Sequence, residues 1–275
     1  MSIKSILSIY SGEAARGAGL RHAIKVAKAY DAWLTGVLRH GRSTLEQSFS
    51  LLPKEVVELI QVRETERIRT VENRFYELVS ENGWSSKSQF LDVKSSQTAR
   101  LSVLARSYDL VVTGNHSDRP DEEHMAVMPD VLALQSGRPV LIVPDGYEAE
   151  ALAEHAIVAW DGKRAAARAI GDALSILQDK AKVTVLTVGN VSLGEELPGG
   201  GIMTLLERHG INASHLHKNA GARSTARVIE ETARDISAKL IVMGAFEHSK
   251  FAHDLFGGVT TEILKTASVP VFMSH

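Results

Sequence analysis

The sequence contains no cysteine. That absence excludes disulfides, thiolate catalysis and cysteine-held zinc or iron–sulfur sites. Neither sign of charge is in excess: 31 Lys and Arg face 33 Asp and Glu, a formal net charge of −2. No global basic field is therefore available to drive non-specific binding of nucleic acid. Long apolar runs are missing as well. Leu240-Ile241-Val242-Met243 is representative of the longest, whereas a membrane-spanning helix needs about 20 such residues. The N-terminal stretch shows no cleavage signature, so the expectation is a cytoplasmic chain without a membrane partner. What remains is ordinary: 44% hydrophobic and 23% charged residues, a globular composition. At roughly 100–200 residues per domain, a chain of 275 residues suggests two.

Internal similarity supports that division. Tyr108-Asp109-Leu110-Val111-Val112-Thr113-Gly114 is answered by Ala238-Lys239-Leu240-Ile241-Val242-Met243-Gly244. Arg138-Pro139-Val140-Leu141-Ile142-Val143 is answered by Val269-Pro270-Val271-Phe272-Met273-Ser274. Thr98-Ala99-Arg100 matches Thr225-Ala226-Arg227, and Ile6 to Gly12 matches Ala156 to Gly162. Each match is weak alone, but all four occur in the same order, which points to duplication. Within each half, short apolar strands alternate with segments of helical spacing. In the first half the strands fall near 3–10, 33–38, 86–93, 110–113 and 140–143; in the second near 155–160, 182–188, 213–217, 240–243 and 269–273. Such alternation implies parallel sheets with helices on both faces. The predicted fold is α/β, with two tandem open-twisted five-stranded parallel sheets over residues 1–146 and 152–275. Pro144 to Leu152, interrupted by Gly146 and acidic residues, reads as the linker.

Open parallel sheets bind ligands beyond the carboxyl ends of their strands, where strand order reverses. In the second half the chain leaves strand four at Gly244 and opens a helix at Gly257-Gly258-Val259-Thr260. Free backbone N–H groups at a helix start attract anions such as phosphate. On spacing alone, simple turn chemistry accounts for these glycines equally well.

With its order of elements, its first strand ending Ala159-Trp160-Asp161-Gly162 and its last beginning Pro270-Val271, this half resembles the universal stress protein domain. That family carries Gly-x2-Gly-x9-Gly-(Ser/Thr) after its fourth strand. Here the pattern reads Gly244, Glu247, Gly257, Gly258, so the second glycine is replaced by Glu247 and the Ser/Thr by Gly258. The resemblance extends over both halves and implies a tandem UspA-like stress-response protein. Its fold is Rossmann-like, of the adenine nucleotide alpha hydrolase type, and its expected ligand is ATP, with Mg accompanying it. By the same resemblance Asp161 and Val188 face the adenosine, while Gly244, Gly257, Gly258, Val259 and Thr260 cradle phosphates. A carboxylate at Glu247 opposes that, since like charges at 4 Å repel by about 1 kcal/mol in water and by several at lower dielectric. Lys250 could offset it. Family pairing of fifth strands implies that Val140–Val143 and Val271–Met273 meet in an intramolecular pseudo-dimer; a homodimer of the whole chain stays open.

The first half departs further. Gly114 is followed by a segment holding Asp118, Asp121, Glu122 and Glu123, and Met128-Pro129-Asp130 stands near the expected glycine pair. Proline supplies no amide donor, and Ser11 replaces the strand-one Asp. This half is expected to bind no nucleotide. Gly12, Gly17 and Gly19 lack the Lys-(Ser/Thr) ending of a phosphate loop. His215 and His217 share a strand face and read as polar surface rather than a metal site. His248 and His253 flank Lys250 in the loop and could meet phosphate or solvent. Three functional readings follow. The first is a non-enzymatic module with one nucleotide at most. The second is a nucleotide hydrolase or nucleotidyl transferase built on Asp161 and Lys250, without a Walker sequence. The third is a ligand-free scaffold.

Overall fold

The computed structural model describes residues 2–12, 17–40, 49–94, 98–114, 128–152, 154–245 and 258–275. The first half contains β1 (Ser5–Ile9), α1 (Gly17–Tyr30), β2 (Trp33–His40), α2 (Lys54–Glu81), β3 (Ser88–Lys94), α3 (Thr98–Ala105), β4 (Leu110–Gly114), α4 (Pro129–Ser136) and β5 (Val140–Val143). The second contains β6 (Ala156–Ala159), α5 (Arg164–Gln178), β7 (Val183–Val188), α6 (Ile202–Arg208), β8 (Ala213–Lys218), α7 (Thr225–Asp235), β9 (Leu240–Gly244), α8 (Val259–Thr266) and β10 (Val271–Ser274).

Local chemistry explains the boundaries. The long charged helix α2 begins directly after Pro53 and is followed by Gly83, whose φ of 67° is easy only for glycine. Its buried residues, Val71, Phe75, Leu78 and Val79, all lie toward its C-terminal end. α5 buries Ala166, Ala169, Ile170, Ala173 and Leu177, the spacing of one helical face.

The strands run β3-β2-β1-β4-β5-β10-β9-β6-β7-β8. Each half therefore has the same internal order, and the halves meet at the antiparallel pair β5–β10, where Leu141 lies opposite Phe272. Both five-stranded parallel sheets expected from the sequence are present. The seam also joins them into one hydrogen-bonded sheet of ten strands, with the fifth strands paired as the resemblance implied.

Duplication reaches down to register. Ile6 pairs with Leu34 and Leu110, and its counterpart Ala156 pairs with Val183 and Leu240. The Tyr10 N–H donates to the Val37 carbonyl at 3.0 Å and the Trp160 N–H to Leu186 at 2.9 Å; Val111 N–H meets Pro139 at 3.0 Å and Ile241 N–H meets Pro270 at 2.9 Å.

Burial explains why the halves join where they do. β5 and β10 are buried at every residue, and Val-Leu-Ile-Val and Val-Phe-Met-Ser would expose apolar edges if separated. The outer edges β3 and β8 carry polar and charged residues and are half exposed. One core lies beneath α1, α2, α5 and α6 and includes Leu141 and Phe272. The other lies beneath α3, α4, α7 and α8 and includes Val140, Ile142, Val271 and Met273. Both cores cross the seam.

Candidate functional site

In the second half β6 stands between β9 and β7. The chain leaving β6 proceeds to α5 and β7 on one side, and the chain leaving β9 proceeds to α8 and β10 on the other. The switch point is thus the crevice at the carboxyl ends of β6 and β9. Around it stand Trp160 to Gly162, the end of β7 at Val188, Gly244 and the first turn of α8. Glu247, His248, Lys250, His253 and Gly257 lie outside the described residues.

Asp161 is exposed, and its carboxylate accepts the Lys163 N–H at 3.0 Å, which shapes the turn into α5. The Trp160 indole donates to the Ser192 carbonyl at 3.0 Å and fixes the segment after β7 against the end of β6. Val188 is half-buried at the end of β7. Gly244 has a packing role of its own. A Cβ there would lie 2.5 Å from the backbone C of Ala165 and N of Ala166, so α5 sits directly on the end of β9. The first half repeats this contact in a looser form, a Cβ at Gly19 of α1 coming within 3.0 Å of the Gly114 nitrogen.

An α-helix leaves its first N–H groups without intrahelical partners. Several helices of this chain satisfy them internally. Glu195 accepts from the N–H groups of Gly201 at 3.2 Å and Met203 at 2.9 Å and from the Thr204 hydroxyl at 3.1 Å. Although desolvation opposes ionisation, these bonds hold the Glu195 carboxyl below its ordinary range. The glycine-rich turn before α6 is thus filled by the chain's own carboxylate. Ser224 caps α7 by accepting the Arg227 N–H at 3.1 Å. In the first half, α4 opens with Pro129, which has no N–H, and the Asp130 carboxylate accepts the Val131 N–H at 2.8 Å.

α8 differs. Its N-cap is Gly258 at φ 113°, with no side-chain cap and open space where a Cβ would stand. Thr260 is buried in the first turn, and the enclosed Thr261 hydroxyl has no hydrogen-bond partner. Glu262, also in that turn, accepts from the Ser224 hydroxyl at 2.6 Å. The loop residues equivalent to the phosphate segment in the first half, 115–127, lie outside the described residues. Ser11, in the position of Asp161, is buried.

His215 and His217 on β8 both face Thr187 of β7. The His215 Nε2 lies 2.9 Å and the His217 Nδ1 3.2 Å from the buried Thr187 hydroxyl. Among the described residues no cluster of three His, Asp or Glu could hold a metal. No described helix is long and apolar enough to cross a membrane.

Residues 153–275 match the model of the Universal stress protein family. No curated protein matches the sequence. Among solved structures, the chain is similar to a universal stress protein from Archaeoglobus fulgidus DSM 4304, with TM-score 0.73 and 14% identity over 98% of this chain and 96% of that one. It is also similar to a putative universal stress protein from Pseudomonas aeruginosa UCBPP-PA14, with TM-score 0.60 and 16% identity over 99% and 93%. At these identities the structures establish the fold alone, over essentially the full length of each chain.

Proposed function

We propose that this chain is a tandem universal stress protein, with units at 1–146 and 152–275, that binds one adenine nucleotide in its C-terminal unit and acts by binding rather than by turnover. The observation that carries this reading is the contrast among helix starts. α6, α7 and α4 meet their first-turn N–H groups with Glu195, Ser224 and Asp130. α8, at the switch point of the second half, begins with Gly258 and no cap. Oriented N–H groups and the positive end of the helix dipole suit a phosphate there. Val259 and Thr260 complete that turn, and Asp161 and Val188 line the side on which the nucleoside would lie. In the first half Pro129 and Asp130 remove a donor and add a negative charge, which supports a purely structural role for that unit.

The reading is tested by thermal unfolding of the whole chain with Mg-ATP. A ligand at 100 times its Kd adds about 2.7 kcal/mol of stability. Val259→Asp adds a second carboxylate, at the first residue of α8, to a turn that already holds Glu262. It should leave the fold intact and weaken ATP at least tenfold. Stabilisation by ATP that is unchanged in Val259→Asp would refute the assignment to α8. Steady phosphate release abolished by Asp161→Ala would instead favour a hydrolase.

A further inference from the structure

A cavity of about 270 Å³ lies where the two halves meet, far from the switch point. It is bounded by α1, the end of α5, the segment 144–152 and the start of β9. Val26, Leu141, Leu152, Ile176 and Leu240 form its apolar wall. Leu240 and Gly244 are the two ends of β9, so cavity and switch point are separated by about 13 Å of strand.

The connecting segment roofs this cavity and is held by one lysine from each half. Lys25 of α1 donates to the Ala149 carbonyl, and Lys180, just past α5, donates to the Leu152 carbonyl. The Tyr30 hydroxyl ties the end of α1 to the end of α5 through Asp179, at 2.5 Å. No counterpart of the connecting segment occurs elsewhere in the chain, so the duplication alone does not make this cavity. It comes from joining the two copies in one polypeptide.

The polar groups at its wall are incompletely used. His22 is 8% exposed, and its Nδ1 is enclosed without a hydrogen-bond partner. Burial, with Lys180 and Lys25 nearby, holds the imidazole neutral down to about pH 4. Tyr147 lies against it, ring centroids 6.0 Å apart, and its hydroxyl reaches only the Lys239 carbonyl at 3.5 Å. Lys180 has three donors and spends one on Leu152. Burial lowers its pKa to about 8, an effect opposed by Glu154 and Asp179. Counting Lys25 and Lys239 with Lys180, three ammoniums stand around the cavity against the carboxylates of Glu150, Glu154 and Asp179, a balance that disfavours a multiply charged phosphate; a single carboxylate can be met by the two donors that Lys180 has left. An apolar cavity of about 150 Å³ takes benzene, so this one has space for a ring or branched chain bearing a short acid group.

We propose that this cavity is a second ligand site, distinct from the nucleotide crevice. It would take a small monocarboxylate with an aromatic or branched aliphatic body, the carboxylate meeting Lys180 and Tyr147 and the body packing against Leu141, Ile176 and His22. The test uses the full-length chain, titrated calorimetrically with phenylacetate and with 2-phenylethanol as the uncharged analogue. The expected result is saturable 1:1 binding of phenylacetate, at least tenfold tighter than the alcohol. Lys180→Met should reduce that ratio to near one while retaining the alcohol's affinity. Ala29→Trp, at the exposed rim, should block both. Saturating Mg-ATP should leave phenylacetate binding unchanged, so failure of the nucleotide reading and failure of this one are distinguishable. Absence of saturable phenylacetate binding overturns the proposal. So does equal binding of acid and alcohol by the unaltered chain, or binding that Ala29→Trp does not affect. If Ala29→Trp does not fold, the Lys180→Met ratio decides alone.

Discussion

Replacing Gly244 by alanine separates two roles that a glycine at the end of a strand can have. Where glycine serves only to let a phosphate approach, a methyl group would weaken ligand binding and leave the unliganded fold unchanged. In this structure the methyl would stand 2.5 Å from the Ala165 carbonyl carbon and the Ala166 nitrogen. Both are backbone atoms of α5, so no side chain can rotate away. The first turn of α5 would have to retreat by about 1 Å to restore ordinary contact, against a core that buries Ala169, Ile170 and Ala173. Overpacking of this kind costs about 1–3 kcal/mol, and contact with backbone on a buried helix puts Gly244→Ala near the upper limit. For a chain of this size that lowers the melting temperature by roughly 6–12 °C. Gly19→Ala supplies the comparison, because its nearest contact is 3.0 Å and its cost should stay near 1 kcal/mol. Calorimetric melting of both variants without ligand is the assay. A Gly244→Ala protein that melts within 2 °C of the unaltered chain (roughly 0.5–1 kcal/mol), or one no less stable than Gly19→Ala, would refute the packing argument.

Other expectations follow from the same structure. His22 has a folded pKa near 4 because burial disfavours the imidazolium. The unfolded chain therefore binds the extra proton between its ordinary value near 6.5 and about 4, and stability falls as pH is lowered through that window. The loss is about 3 kcal/mol in full. Urea midpoints at pH 7.5 and 4.5 should differ less in His22→Phe than in the unaltered chain. Phe272, 1% exposed at the seam, should cost about 3–5 kcal/mol as Phe272→Ala, read by urea unfolding. Since both cores cross the seam, the two halves should lose stability together. Glu195→Gln keeps one acceptor but removes the charge from the start of α6, so its urea midpoint should fall below that of the unaltered chain.

Much of this architecture was legible in the residues. β5 and β10 are apolar at nearly every position, the pattern of strands buried on both faces, and Pro139 and Pro270 mark the same register point in each copy. Pro53 and Gly83 bracket α2 by removing a donor and by accepting a positive φ. Asp161 and Gly258 were visible as positions because their spacing follows strand ends. The role of Gly244 against α5 was hidden, because a close approach between remote backbones leaves no local pattern. The filling of the glycine turn before α6 by Glu195 was equally silent, since it depends on how a loop folds back on itself. His22, Tyr147 and Lys180 carry no motif at all. They come together only because the ends of α1 and α5 converge beneath the connecting segment.

The central claim, a duplicated chain in which only the later copy keeps an open helix start for phosphate, is tested most directly by calorimetric titration of the full chain with Mg-ATP. The account predicts one site per chain, lost in Val259→Asp. Two equivalent sites per chain, or no heat of binding at millimolar ATP, would contradict it.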